Sequence, residues 1–126
     1  MFVADTDDEA LAATHAAHRD WYRSITKPWH DHDDHTPDGL FAWETATQYE
    51  TILFGTPARV REHMARLLGI SGCNYVISAF AWGTLSHEQA LRSLRLFAEE
   101  VMPAFPRGYR RHQKPRGCSR RPNPCR

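Results

Sequence analysis

ILFGTPARVREHMARLLGISGCNYVISAFAWGT, residues 52 to 84, is the part of the chain with the clearest architectural grammar. Thr51-Ile52-Leu53-Phe54 is a β-favouring apolar run that breaks at Gly55-Thr56-Pro57. Thr56 suits a helix N-cap, and Pro57 suits the first helical position, where its missing N–H does no harm. Val60, Met64, Leu67 and Leu68 then recur at i, i+4, i+7 and i+8, which predicts a helix with one apolar face. Gly69 can close that helix in the left-handed conformation. Asn74 to Trp82 is nearly continuously apolar rather than alternating, which predicts a strand covered on both faces in a parallel sheet. Gly83-Thr84 turns the chain.

Outward from this stretch the same grammar repeats. Downstream, Ser86 and Gln89 have capping-box spacing, Leu91, Leu94, Phe97, Ala98 and Val101 line the next helix, and Pro103 stops it. Upstream, Met1 to Ala4 is a short apolar opening strand, and Thr6 with Glu9 forms another capping-box spacing. Leu11, Thr14, His18, Trp21, Tyr22 and Ile25 fall near one face of the helix that follows, and the alanines at 12, 13, 16 and 17 favour it. Pro28 should end it, and residues 28 to 43 read as a long surface loop with at most a turn of helix near its end. The βα repetition implies parallel strands joined by right-handed crossovers. A complete (β/α)8 barrel needs about 250 residues. The expected fold class is therefore α/β, a partial (β/α)8 TIM barrel formed by its last three βα units, with a small doubly wound sheet as the competing architecture.

The whole chain has 126 residues, the size of one ordinary domain, and its 41% hydrophobic and 25% charged residues exclude collagenous and broadly disordered classes. No apolar run approaches the roughly 20 residues of a membrane span. Met1 to Asp8 turns acidic without a basic flank, unlike a secretory signal, so a cytoplasmic location is expected. Cys73, Cys118 and Cys125 are odd in number and lack CxxC spacing, so neither a disulfide framework nor a zinc ribbon is encoded. Charge is distributed unevenly: residues 1 to 106 hold all 15 acids and 8 of the 16 Lys and Arg, whereas residues 107 to 126 hold the other 8 bases and no acid. The expected division is a folded unit over 1–105 and a disordered basic tail over 106–126. That tail reads either as an arm for nucleic acid or another acidic partner, or as a solvated or out-of-frame extension, with nucleic acid the less favoured.

Ile52 to Phe105 resembles the C-terminal region of the bacterial luciferase-like, flavin-dependent monooxygenases. The resemblance rests on G-T-P before a helix, a strand ending in FAWG, the S-H-E-Q-A-L-R-S-L helix start and the closing E-E-V-M-P-A-F. FVADTDDEA and WYRSITKPW look like the strand and helix that precede this region in that family. The resemblance implies strands six, seven and eight of a barrel, with strands one to five absent. It also implies reduced flavin mononucleotide (FMN) or a deazaflavin as cofactor, a small organic substrate, and a flavin reductase as partner. With most of the flavin phosphate contacts missing, it implies a truncated relative that is inactive alone.

Individual residues carry two readings each. Trp82 and Gly83 lie at the carboxyl end of the last expected strand, where barrel enzymes place ligand contacts; Trp82 could wall a flavin pocket or merely cap a core. Phe80 shares its parity and would face the same way. Gly55 and Thr56 precede a helix N-terminus that could take a phosphate, or the turn could be ordinary capping. His30-Asp31-His32-Asp33-Asp34-His35 matches H-x-H-x-D-H, the metal-ligand run of the metallo-β-lactamase fold. No apolar strand runs into it and no Gly pair follows, so a mixed-charge loop is the other reading and no metal is assigned. Cys73 reads as a packed thiol. No Ser-His-Asp or Cys-His arrangement emerges, so no catalytic residue is assigned. Open strand edges and the basic tail suggest a second class of function, non-catalytic association with itself or with an acidic partner.

Overall fold

The computed structural model describes residues 1–73 and 75–105. The expected basic tail lies outside the described residues.

The opening segment and the 50s run do pair. β1 (Phe2–Val3) and β2 (Phe54–Gly55) lie parallel, with Phe2 opposite Phe54 and Val3 opposite Gly55. The Phe2 N–H donates to the Leu53 carbonyl at 2.9 Å and the Ala4 N–H to the Gly55 carbonyl at 3.1 Å. Successive strand side chains point to opposite faces, which sorts this short sheet into two cores. Val3 packs with Leu53, Val60, Met64 and Val101, whereas Phe2 and Ala4 pack with Ala10. The second core lies against α1 (Asp7–His30). The first lies against α4 (Pro57–Ser71) and the C-terminal helix α5 (His87–Leu96), which continues as a π turn (Phe97–Val101) and a 3-10 turn (Met102–Ala104).

Helix starts follow local chemistry. Thr6 Oγ1 accepts the Glu9 N–H at 3.2 Å, and Asp7, Asp8 and Glu9 occupy the first turn, where the helix dipole favours acids. Thr56 caps α4 ahead of Pro57, as its sequence requires. Ser86 and Gln89 complete a reciprocal capping box, with bonds of 3.1 and 2.9 Å. At its far end α4 runs through Gly69 and closes at Gly72, which takes the left-handed conformation at φ 71°.

The expectation of a partial (β/α)8 barrel with three βα units is overturned. The described residues are mostly helical and contain one two-stranded parallel sheet. Of the strand expected over Asn74 to Trp82 and covered on both faces, residues 75–82 have no ladder partner among the described residues, and Tyr75 and Ile77 are 78% and 85% exposed. Hydrogen bonding at the far edge of β1 supplies the reason. The Val3 N–H, which points away from β2, donates to the buried Ser93 Oγ at 2.8 Å. A helix side chain therefore takes the bond that a third strand on that edge would need.

Helices extend where a loop was expected. α1 passes through Pro28 to His30, and α2 (Asp38–Phe41) and α3 (Trp43–Gln48) fill much of residues 28–48. Pro28 sits in the last turn of α1, where losing one backbone bond is tolerable. Aromatic packing then docks α2 and α3 on α1: Trp21 meets Phe41 edge to face at 5.6 Å, and His15 and His18 meet Trp43 at 4.9 and 5.3 Å. The buried lines of the helices are met in part, at Thr14 and His18 of α1, Val60 and Met64 of α4 and Val101 beyond α5, and are otherwise shifted. α1 buries Ala10, Thr14, Ala17, His18 and Thr26 while Leu11 is 46% exposed, and α5 buries Ala90 and Ser93 while Leu91 and Leu94 face solvent. Small side chains let each helix approach the sheet closely, a gain that hydropathy periodicity does not register.

Candidate functional site

A concavity of about 680 Å³ lies between α1, the helices α2 and α3, residues 49–53 and residues 76–82. Its walls include Trp21, Phe41, Tyr49, Ile52, Val76 and Trp82, an aromatic and aliphatic set suited to a flat apolar ligand. Each wall has a local cause. Trp21 sits on the α1 face that packs on Phe41, and Trp82 is delivered by the extended segment, which is tied at two points. The Met1 α-amino group donates to the Ala79 carbonyl at 2.8 Å, and Gly83 lies against α1. At Gly83, φ is +57° and an added Cβ would stand 2.1 Å from the Ala17 carbonyl oxygen, so the close approach requires glycine.

Charge is sparse in the cavity. Glu50 is engaged by the Arg66 guanidinium. Burial lowers the Met1 ammonium from 8.0 to about 6, leaving it mostly neutral at pH 7. The indole Nε1–H of Trp82 is buried and has no hydrogen-bond partner among the described residues. A buried donor left in that state is an exception in folded proteins.

The residues expected to contact a cofactor do not converge. Trp82 lines the cavity, but Phe80 packs on Phe97 at a centroid distance of 5.1 Å. The shared parity of the two residues loses its meaning because no ladder enforces alternation in this segment. Gly55 and Thr56 lie at the start of α4, and the anion there is the chain's own. The Thr56 N–H donates to Asp7 Oδ1 at 2.8 Å, and Arg59 Nη1 reaches Asp7 Oδ2 at 3.3 Å. The Thr56 backbone bond holds the Asp7 carboxyl below the usual carboxylate range; partial desolvation opposes this and Arg59 assists it. Gly83 serves the packing on Ala17. Cys73, expected to be packed, is an exposed free thiol.

Of the histidine run, the structure brings together His30 and His35, and it adds Asp38, which the H-x-H-x-D-H spacing does not contain. Sequence reasoning missed Asp38 because it follows the run across a turn. The available signal was Thr36-Pro37-Asp38, which opens a new helix and so returns the chain toward the end of α1.

No family model, no curated protein and no solved structure matches this chain. Among the described residues, no helix is long and apolar enough to cross a membrane.

Proposed function

We propose that this chain is a non-catalytic relative of the flavin-dependent, luciferase-like monooxygenases that holds a flavin ring without itself oxidising a substrate. The observation that carries the reading is Trp82, whose side chain lines a cavity with Trp21, Phe41 and Tyr49. A reduced flavin supplies electrons to oxygen when bound, and the contribution of these residues is to stack on the ring and exclude water. The fit is to the ring alone. No cationic side chain lines the cavity, and the turn expected to receive a phosphate is filled by Asp7. Riboflavin should therefore bind as well as FMN. On the same reading we assign the chain to the cytoplasm, where an exposed thiol such as Cys73 stays reduced.

Anaerobic titration of the full chain with reduced FMN and with reduced riboflavin, after sizing by light scattering, tests the proposal. Saturable tryptophan quenching by both ligands is expected, with Trp82→Ala weakening it by up to about tenfold. Absence of saturation, or equal affinity in the variant, removes the flavin reading. A second reading, self-association, is favoured by the exposed apolar run Tyr75, Val76 and Ile77. Concentration-dependent sedimentation abolished by Ile77→Ser would support it.

A further inference from the structure

We propose that His30, His35 and Asp38 form a binding site for a divalent transition ion of the zinc class. The site is independent of the flavin reading, since it uses none of the residues on which that reading rests.

The geometry comes from the turn between α1 and α2. His30 is the last residue of α1, and Asp31, just beyond it, is paired with Lys27. Asp33 takes φ 57°, a left-handed conformation that Asp tolerates better than most residues, and reverses the chain. Asp34 then accepts the Thr36 N–H at 2.8 Å, closing an Asx turn. These steps fold His35 back over His30, with their rings 4.6 Å apart, and place Asp38 at the first position of α2. His30 Nε2 lies 2.6 Å from Asp38 Oδ1, and His35 Nδ1 lies 3.0 Å from Asp38 Oδ2. One ligand atom from each residue falls within 4.8 Å of the other two.

In a tetrahedral zinc site with bonds of about 2.0–2.1 Å, ligand atoms are separated by about 3.3 Å. Small rotamer adjustments of half-buried or exposed side chains reach that spacing, and they leave a fourth position for water. Two imidazoles and one carboxylate suit zinc, cobalt or iron; magnesium and calcium prefer oxygen alone. Supporting groups are also in place. The Tyr22 side chain neighbours Asp38, and Asp33 Oδ1 stands 3.9 Å from His35 Nε2, on the nitrogen that does not ligate. Asp33 and Asp34 add negative charge beside the site. His32 is exposed and takes no part in the cluster, which makes it a control.

The experiment titrates the metal-free full chain with Co²⁺ and follows its visible absorption, then displaces the cobalt with Zn²⁺. One equivalent of cobalt is expected to bind, with no thiolate charge-transfer band and no competition from Mg²⁺. His35→Ala and Asp38→Asn should each weaken binding at least about tenfold, and His32→Ala should leave it unchanged. Far-UV circular dichroism checks the fold of each variant. If Asp38→Asn loses helix, His35→Ala decides, because His35 is exposed and lies outside both helices, so its replacement leaves the core intact. A wild-type chain that gives no cobalt spectrum, a spectrum that His35→Ala leaves intact, or one that His32→Ala abolishes overturns the site.

Discussion

Two segments of this chain have almost the same kind of sequence and opposite fates. Phe2–Val3 and Phe54–Gly55 pair and divide the core, whereas residues 75–82, longer and more apolar, run beside the molecule without a ladder. The difference teaches that β-propensity specifies an extended chain and little more. A strand also needs an edge with free backbone groups, and here Ser93 occupies the one that β1 would offer.

The largest effect should come from breaking the tie that holds the extended segment. Gly83→Ala drives a Cβ into the Ala17 carbonyl at positive φ, and a loss of about 3 kcal/mol is expected in urea unfolding. Retention of wild-type stability would show that the segment does not approach α1 so closely. Next comes the edge itself: Ser93→Ala strands the buried Val3 N–H and should cost about 2 kcal/mol. If the loss is instead accompanied by slowed amide exchange across 75–82, the vacated edge has recruited that segment as a strand, and the contrast between the two regions collapses.

A smaller effect, and one that depends on pH, is expected at the start of α4. Asp7 has a folded pKa below its unfolded value of 3.8, so its contribution is present above that value and is lost as pH falls through the folded pKa. Asp7→Asn should therefore lower stability by about 1 kcal/mol at neutral pH and flatten the acid limb of the stability profile. Parallel acid limbs in variant and wild type would contradict the carboxylate's role. Ile77→Ser should do least, within about 0.5 kcal/mol, because its side chain is already in solvent. A larger loss would mean that this end of the segment is covered in solution.

Much of the local structure was legible in the residues. Thr6, Thr56 with Pro57, and the Ser86–Gln89 box each specify a helix start through bonds made within four residues, and each is found. The pairing of the first and second apolar runs was legible as well. For the site, Trp82 could be singled out by its place before Gly83, but its cavity partners Trp21, Phe41 and Tyr49 come from elements far away in the chain. The helix face that would be buried was less legible. Leu91 and Leu94 outrank Ala90 and Ser93 in hydropathy, yet the smaller pair fits against β1.

What the amino acids determined alone is what short-range chemistry can enforce: capped helix starts, an extended apolar stretch and an uneven charge distribution; the helix end expected at Gly69 falls instead at Gly72. Tertiary contacts alone decided which edge was free, which carboxylate filled the N-terminus of α4, and whether two histidines and an aspartate would meet. Those outcomes depend on bonds such as Val3 to Ser93 and Thr56 to Asp7, whose partners lie 90 and 49 residues apart and whose geometry exists only after the helices have packed.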